Sequence, residues 1–173
     1  MSVGDWTPQE EAMSSVVDLL QESFVPNTEI QKNVHQKIAL LQNYPNFIQY
    51  LLCILKKPDS FSEDIRALAG IILKNNLTTT YDTLNIETVE YMKSVFLHLL
   101  KDESRDVRSS ATNLVNVVLW KGGLPRWPEL LPTLITMVDS SDVTASETAL
   151  NALLKICEDY LANQQTTREC TKA

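Results

Sequence analysis

Groups able to move a proton, hold a metal or attack a carbon are few in this sequence and widely separated. Its two histidines, His35 and His98, lie in different segments, and no HExxH or comparable spacing supplies a second ligand. No GxGxxG, GxxxxGKS/T or GxSxG occurs, so phosphate cradles and nucleophile elbows are absent. Cys53, Cys157 and Cys170 are odd in number and lack CxxC spacing, which reads as free thiols in a reducing compartment. The adjacent acids Glu158 and Asp159 stand near a helix end, as solvated surface or as a contact to a basic partner. Neither an enzyme nor a cofactor or metal site is expected.

The chemistry on offer is hydrogen bonding from a helix with room around it. At about 100° per residue, Ala67, Gly70 and Lys74 fall roughly opposite the apolar line of Ile65, Ala69 and Ile72, with Ile71 to one side. Small residues at 67 and 70 let another backbone approach closely, either a partner's or a neighbouring segment's. Lys74 then sits beside the contact as a point charge. In similar segments the same face carries Lys32 and His35, then Ser109, Thr112 and Asn116. The candidate binding residues are therefore Lys32, His35, Lys74, Asn75 and Asn116. Lys74 ranks first, because Gly70 one turn earlier leaves room to reach it.

A repeating pattern positions these residues. Ile65-Arg66-Ala67-Leu68-Ala69 has its counterpart in Val107-Arg108-Ser109-Ser110-Ala111: a β-branched residue, an arginine, then a small residue three further on. Ile30/Val34/Ile38, Ile65/Ala69/Leu73, Val107/Ala111/Val115 and Ala145/Ala149/Leu153 superpose as four copies, with starts 35, 42 and 38 residues apart. That period belongs to stacked helical hairpins of the HEAT type. The spacing predicts an all-α solenoid, a right-handed superhelix of about four HEAT-type hairpins at residues 6–43, 45–77, 86–122 and 127–162. Second helices line its concave side, and a polar, frayed tail is expected at 163–173.

Local signals agree with this frame. Thr7-Pro8-Gln9-Glu10 can open a first helix carrying Met13, Val16, Val17, Leu20 and Phe24. Pro26-Asn27-Thr28 breaks it and caps the next, while Pro45 opens the second pair with Phe47, Leu51, Leu52 and Leu55 inward. Lys56-Lys57-Pro58 ends a helix, and Ser60 to Glu63 reads as a capping box. Residues 78–85 read as an aperiodic surface connection, and Gly122-Gly123 as a stop before Trp127-Pro128 begins the fourth pair. That pair has no polar outer face, since Leu150, Leu153, Leu154 and Ile156 spread around its second helix. The expectation is the beginning of a longer array.

Composition narrows the partners. The 173 residues carry a net charge of −7, which disfavours nucleic acid and is compatible with a basic protein. No apolar run approaches the about 18 residues of a membrane span, and Met1 to Trp6 resemble no signal peptide. Asn76-Leu77-Thr78 matches a glycosylation sequon that would stay unmodified without secretion.

Several ordered motifs resemble the N-terminal HEAT repeats of the importin-β (karyopherin-β) family, above all its transportin branch. They are Tyr44-Pro45-Asn46-Phe47, Leu68 to Asn76, Trp127-Pro128-Glu129-Leu130-Leu131-Pro132 and Lys155-Ile156-Cys157-Glu158-Asp159. The resemblance covers about residues 6 to 162. It implies a nuclear import receptor, shuttling between cytoplasm and nucleus, whose N-terminal end holds the GTP-bound small GTPase Ran so that cargo is released. Under it, Lys32, His35, Lys74, Asn75 and Asn116 become Ran-binding candidates. Cargo and nuclear pore proteins would bind later repeats that have no counterpart here. The alternative is a HEAT scaffold or adaptor unrelated to Ran.

Overall fold

Side-chain acceptors fix where most of the helices begin. Asn27 Oδ1 accepts from the amides of Glu29 and Ile30 at 2.9 and 3.2 Å, and Asn85 Oδ1 from Thr88 at 2.8 Å. Ser104 Oγ accepts from Val107 at 3.4 Å, and Asp142 Oδ1 from Thr144 at 2.9 Å. Each satisfies an amide that the first helical turn leaves without a partner. The computed structural model describes residues 6–42, 44 and 46–170, with side chains as far as Asp159. Pro45, expected to open the second pair, lies outside the described residues.

The resulting helices are α1 (Glu10–Glu22), α2 (Thr28–Leu41), α3 (Phe47–Leu55), α4 (Glu63–Thr80), α5 (Ile86–Leu99), α6 (Arg105–Gly122), α7 (Leu130–Val138) and α8 (Val143–Cys170). No strand occurs among the described residues. Odd helices pack on the even helix that follows, giving the four hairpins of an α-solenoid. One apolar core runs through all of them, from Val16 and Leu20 to Ala149 and Ala152.

Five local expectations change. α1 starts at Glu10 rather than at Pro8, with Gln9 in the cap position and no side-chain cap bond. Ahead of it, the Trp6 ring stands edge-on to Tyr50 at 4.8 Å and draws the chain across α3. Phe24, expected on the apolar face of α1, lies past its end and is exposed. α4 is capped by Ser62, not Ser60, because Ser60 and Phe61 donate their amides back to the Lys57 carbonyl in the preceding turn. Residues 78–80 continue α4, since Thr78 and Thr80 hydroxyls donate to the Lys74 and Asn76 carbonyls at 3.0 and 2.9 Å. After them a short 3-10 turn buries Tyr81. The polar segment from residue 163, read as a separate tail, is helical as far as Cys170.

The second helices pack directly on one another, α4 on α6 and α6 on α8, while the first helices reach the core through their own partners. Tight spacing in one layer and looser spacing in the other bends the stack, so α4, α6 and α8 line its inner face. Ala69, Ala111 and Ala149, fully buried at matching positions, keep these axes close. Gly70 brings them closer still. A Cβ there would lie 2.7 Å from Ser110 Cβ, and Ser110 Oγ donates to the Ala67 carbonyl at 3.3 Å. The room expected beside Gly70 for a partner is therefore filled by α6. α2 is the exception: only Val34 among its residues is buried, and α1 rather than α2 packs on α4.

Lys93 joins the third hairpin to the fourth. Its buried ammonium donates to Glu90 at 2.6 Å and to the Arg126 carbonyl, and it lies 6.0 Å from the centre of the buried Trp127 ring. Nearby, the Tyr81 hydroxyl fills the place a Cβ on Gly122 would take, 2.6 Å away. Burial pushes the Tyr81 phenol above its ordinary value near 10, Arg126 opposing and Glu90 and Asp82 adding.

Two outcomes follow from this packing. Helix propensity alone would make Gly70→Ala stabilising by about 0.5–1 kcal/mol. The clash with Ser110 Cβ reverses the sign, to a net loss of about 1–3 kcal/mol in denaturant unfolding. Gly70→Ala with Ser110→Gly should recover much of it. For Tyr81, the folded state holds its proton more tightly than the unfolded chain does. Its contribution is intact below pH about 10 and is lost as pH rises further. Alkaline melts should show that loss, and Tyr81→Phe should lack it.

Candidate protein-binding face

The inner face rests on polar bonds between successive hairpins. Arg66, on α4 and buried, donates to the Leu55 carbonyl from Nε at 2.9 Å and Nη2 at 2.7 Å. The same guanidinium pairs with both carboxylate oxygens of Asp102, at 3.1 Å from Nη1. Arg108, one residue after Val107 as Arg66 is after Ile65, instead donates to the carbonyls of Asp102 and Glu103, both at 2.7 Å. Asn76, fully buried, donates to the Gln42 carbonyl at 3.2 Å and accepts from Thr80 at 3.0 Å. Between α6 and α8, Lys155 donates to Asn113 and Asn116 to Asp159.

These bonds sort the five candidates. Lys74 and Asn75 share α4, Lys74 half-buried and Asn75 exposed, and Lys74 has no ion pair among the described residues. Ile71 flanks them and is 51% exposed, giving the face one apolar contact. Asn116 is buried and its amide is engaged by Asp159, so it holds α6 to α8. Lys32 and His35 are exposed on α2, the helix that does not pack on α4. The structure therefore assembles a face around Lys74 and Asn75, withdraws Asn116, and leaves Lys32 and His35 on a separate element.

A groove of about 770 Å³ lies between α6 and α8. Its walls include Arg105, Ser109 and Thr112 from α6 and Glu147, Asn151 and Glu158 from α8. Short polar side chains line the middle. Arg105, Glu147 and Glu158 have no ion pair among the described residues. Leu154, 57% exposed, is the large apolar group on its wall. Such a groove offers mixed-charge hydrogen bonding to a protein surface. Both adjacent acids line the groove: Asp159 also accepts from Asn116, while Glu158 has no ion pair among the described residues. Sequence spacing exposed Ser109 and Thr112 as part of the ridge. Arg105 and Glu147 were missed, because only the stacking of α8 on α6 makes them neighbours. Among the described residues no cluster of His, Cys, Asp and Glu could hold a metal, and no helix is long and apolar enough to cross a membrane.

Known proteins resemble this chain in sequence and in fold. Residues 34–116 match the family described as the importin-beta N-terminal domain. Transportin-1 of Homo sapiens is 39% identical over 155 residues, which are 90% of this chain and 17% of the relative. Importin subunit beta-2 of Schizosaccharomyces pombe is 29% identical over 161 residues, 92% of this chain and 18% of the relative. The chain thus spans about a sixth of the length of the curated relatives it matches. In fold it is similar to the exportin Cse1 in its cargo-free, cytoplasmic state, with a TM-score of 0.72 at 17% identity over 86% of this chain and 17% of that one.

The Arg66 pair gives a prediction for the face. Removing one member of a buried pair costs about 3–5 kcal/mol, because the other charge is left without compensation. Arg66→Ala should show a loss of that order in urea unfolding, and Arg66→Ala with Asp102→Ala clearly less than twice it.

Proposed function

We propose that this chain, which belongs to the importin-β family through its N-terminal domain, is the Ran-binding end of a nuclear import receptor. Its task is recognition without catalysis. GTP-bound Ran docks against the second helices α4, α6 and α8, and its arrival in the nucleus releases imported cargo. The receptor works between cytoplasm and nucleus, with cargo and nuclear pore proteins held by later repeats. No cofactor is needed for this.

One observation carries the reading: a polar inner face whose α4 lysine is half-buried and has no ion pair among the described residues, with a groove of mixed charge between α6 and α8. A half-buried ammonium has shed part of its hydration, so a carboxylate or carbonyl from a partner gains a charge-assisted bond there. Arg105, Glu147 and Glu158 add charges of both signs, which set orientation more than affinity. Lys74 and Asn75 on α4 are the assigned contacts. Lys32 and His35, on the separate element α2, are assigned as outlying contacts, and Asn116 supports the face by holding α6 to α8.

The experiment is retention of Ran loaded with GTP or GDP on the immobilised chain. Preferential retention of the GTP form is expected. Equal or absent retention of both would leave a HEAT scaffold unrelated to Ran. Given binding, Lys74→Ala should weaken it by about 1.5–3 kcal/mol, while thermal stability changes by less than about 0.5 kcal/mol. Titration calorimetry and a melting curve on the same sample measure both.

A further inference from the structure

We infer that the first hairpin carries a second docking groove, shaped for an amphipathic helix of another protein that is apolar on one side and basic along its edges. The groove lies between α1 and α2, with a volume of about 430 Å³. That is within the range of about 300–1,000 Å³ typical of built ligand sites. Leu19, Leu40, Leu41 and Tyr44 line it. Leu40 is 75% exposed and Tyr44 69%, although each is a large side chain that ordinarily seeks cover. α1 has already committed Val16 and Leu20 to the common core, so the stripe of Asp18, Leu19 and Glu22 is left facing the groove. Two helices side by side form the trough that accepts the ridge of a third.

Charge selects the occupant. The groove is rimmed by Asp18 and Glu22 from α1. Asp18 has no ion pair among the described residues. Glu22 meets Lys37 at 3.5 Å, but their side chains are 48% and 58% exposed, a pairing that water and salt reduce to little. Residues 6–43 hold five acids against two lysines. An incoming helix with leucine-like anchors and lysine or arginine at its margins would cover the apolar floor and answer both carboxylates. This groove is separate from the face assigned to Ran. At about 100° per residue, Lys37 falls across α2 from both Lys32 and His35, and Leu40 lies to the side of Lys37.

Fluorescence anisotropy with two labelled synthetic helices tests this on the whole chain. Both carry the same leucine face; one has lysine elsewhere and the other glutamate. Saturable binding of the leucine–lysine helix is expected, with none of the leucine–glutamate helix. Leu40→Glu should weaken it by at least about tenfold, even though the substitution makes the protein more acidic, and Tyr44→Ser should weaken it too. Circular dichroism should show both variants folded, since both positions are exposed. Equal binding of the two helices, no saturable binding, or unchanged affinity in folded Leu40→Glu and Tyr44→Ser would overturn the inference. So would a dimer of the unaltered chain in sedimentation that Leu40→Glu dissolves, because a second copy would then be the occupant. Ran retention on Leu40→Glu should match that of the unaltered chain, so failure of one reading leaves the other standing.

Discussion

Everything on the inner face depends on how closely α4 and α6 approach. Gly70 against Ser110 sets the distance, since a single added carbon would collide at 2.7 Å. At that separation the arginine one turn earlier can span the interface, and Arg66 ties the end of α3 to Asp102 at the start of the next turn. The contact is polar at one point and bare backbone at the next. It therefore has a definite register, which apolar packing alone would leave free to slide.

That register propagates because each hairpin touches only its neighbours. In a stack of this kind the energy is close to a sum of hairpin terms and interface terms. The interfaces here differ in kind. Between α4 and α6 the bond is a buried ion pair beside a glycine; between α6 and α8 it is Lys155 with Asn113 and Asp159 with Asn116. Between the first two hairpins, among the described residues, the Asn76 amide donates to the Gln42 carbonyl. The first hairpin is thus the most lightly attached, in line with an α2 that buries a single residue.

The same side-chain types serve attachment and recognition on this surface. Asn116 and Asp159 bond to each other within the chain, whereas Glu158, the residue before Asp159, lines the groove with no ion pair among the described residues. Lys155 is used internally and Lys74 is not. A polar ridge is therefore not a binding face throughout. Where the stacking of hairpins consumes a group, what remains for a partner is the hydrogen-bonding capacity left over.

The sequence by itself determined the class of fold, because helical periodicity is a local property and its recurrence four times requires neighbours to share apolar faces. Ile65, Ala69 and Leu73 could be placed on a core line without knowing what they touch. Asn27 and the Gly122-Gly123 stop were readable because caps act within a few residues. The motifs resembling the importin-β family were legible for the same reason: they are contiguous. Tertiary structure alone decided what lies opposite. Whether Gly70 welcomes a partner or another helix is a question about Ser110, 40 residues on. Asn116 looks free on its own helix and is engaged only because Asp159 of α8 comes to meet it. The α6–α8 groove and the buried Tyr81 have the same origin: they arise from packing angles between hairpins, which no spacing along one helix encodes.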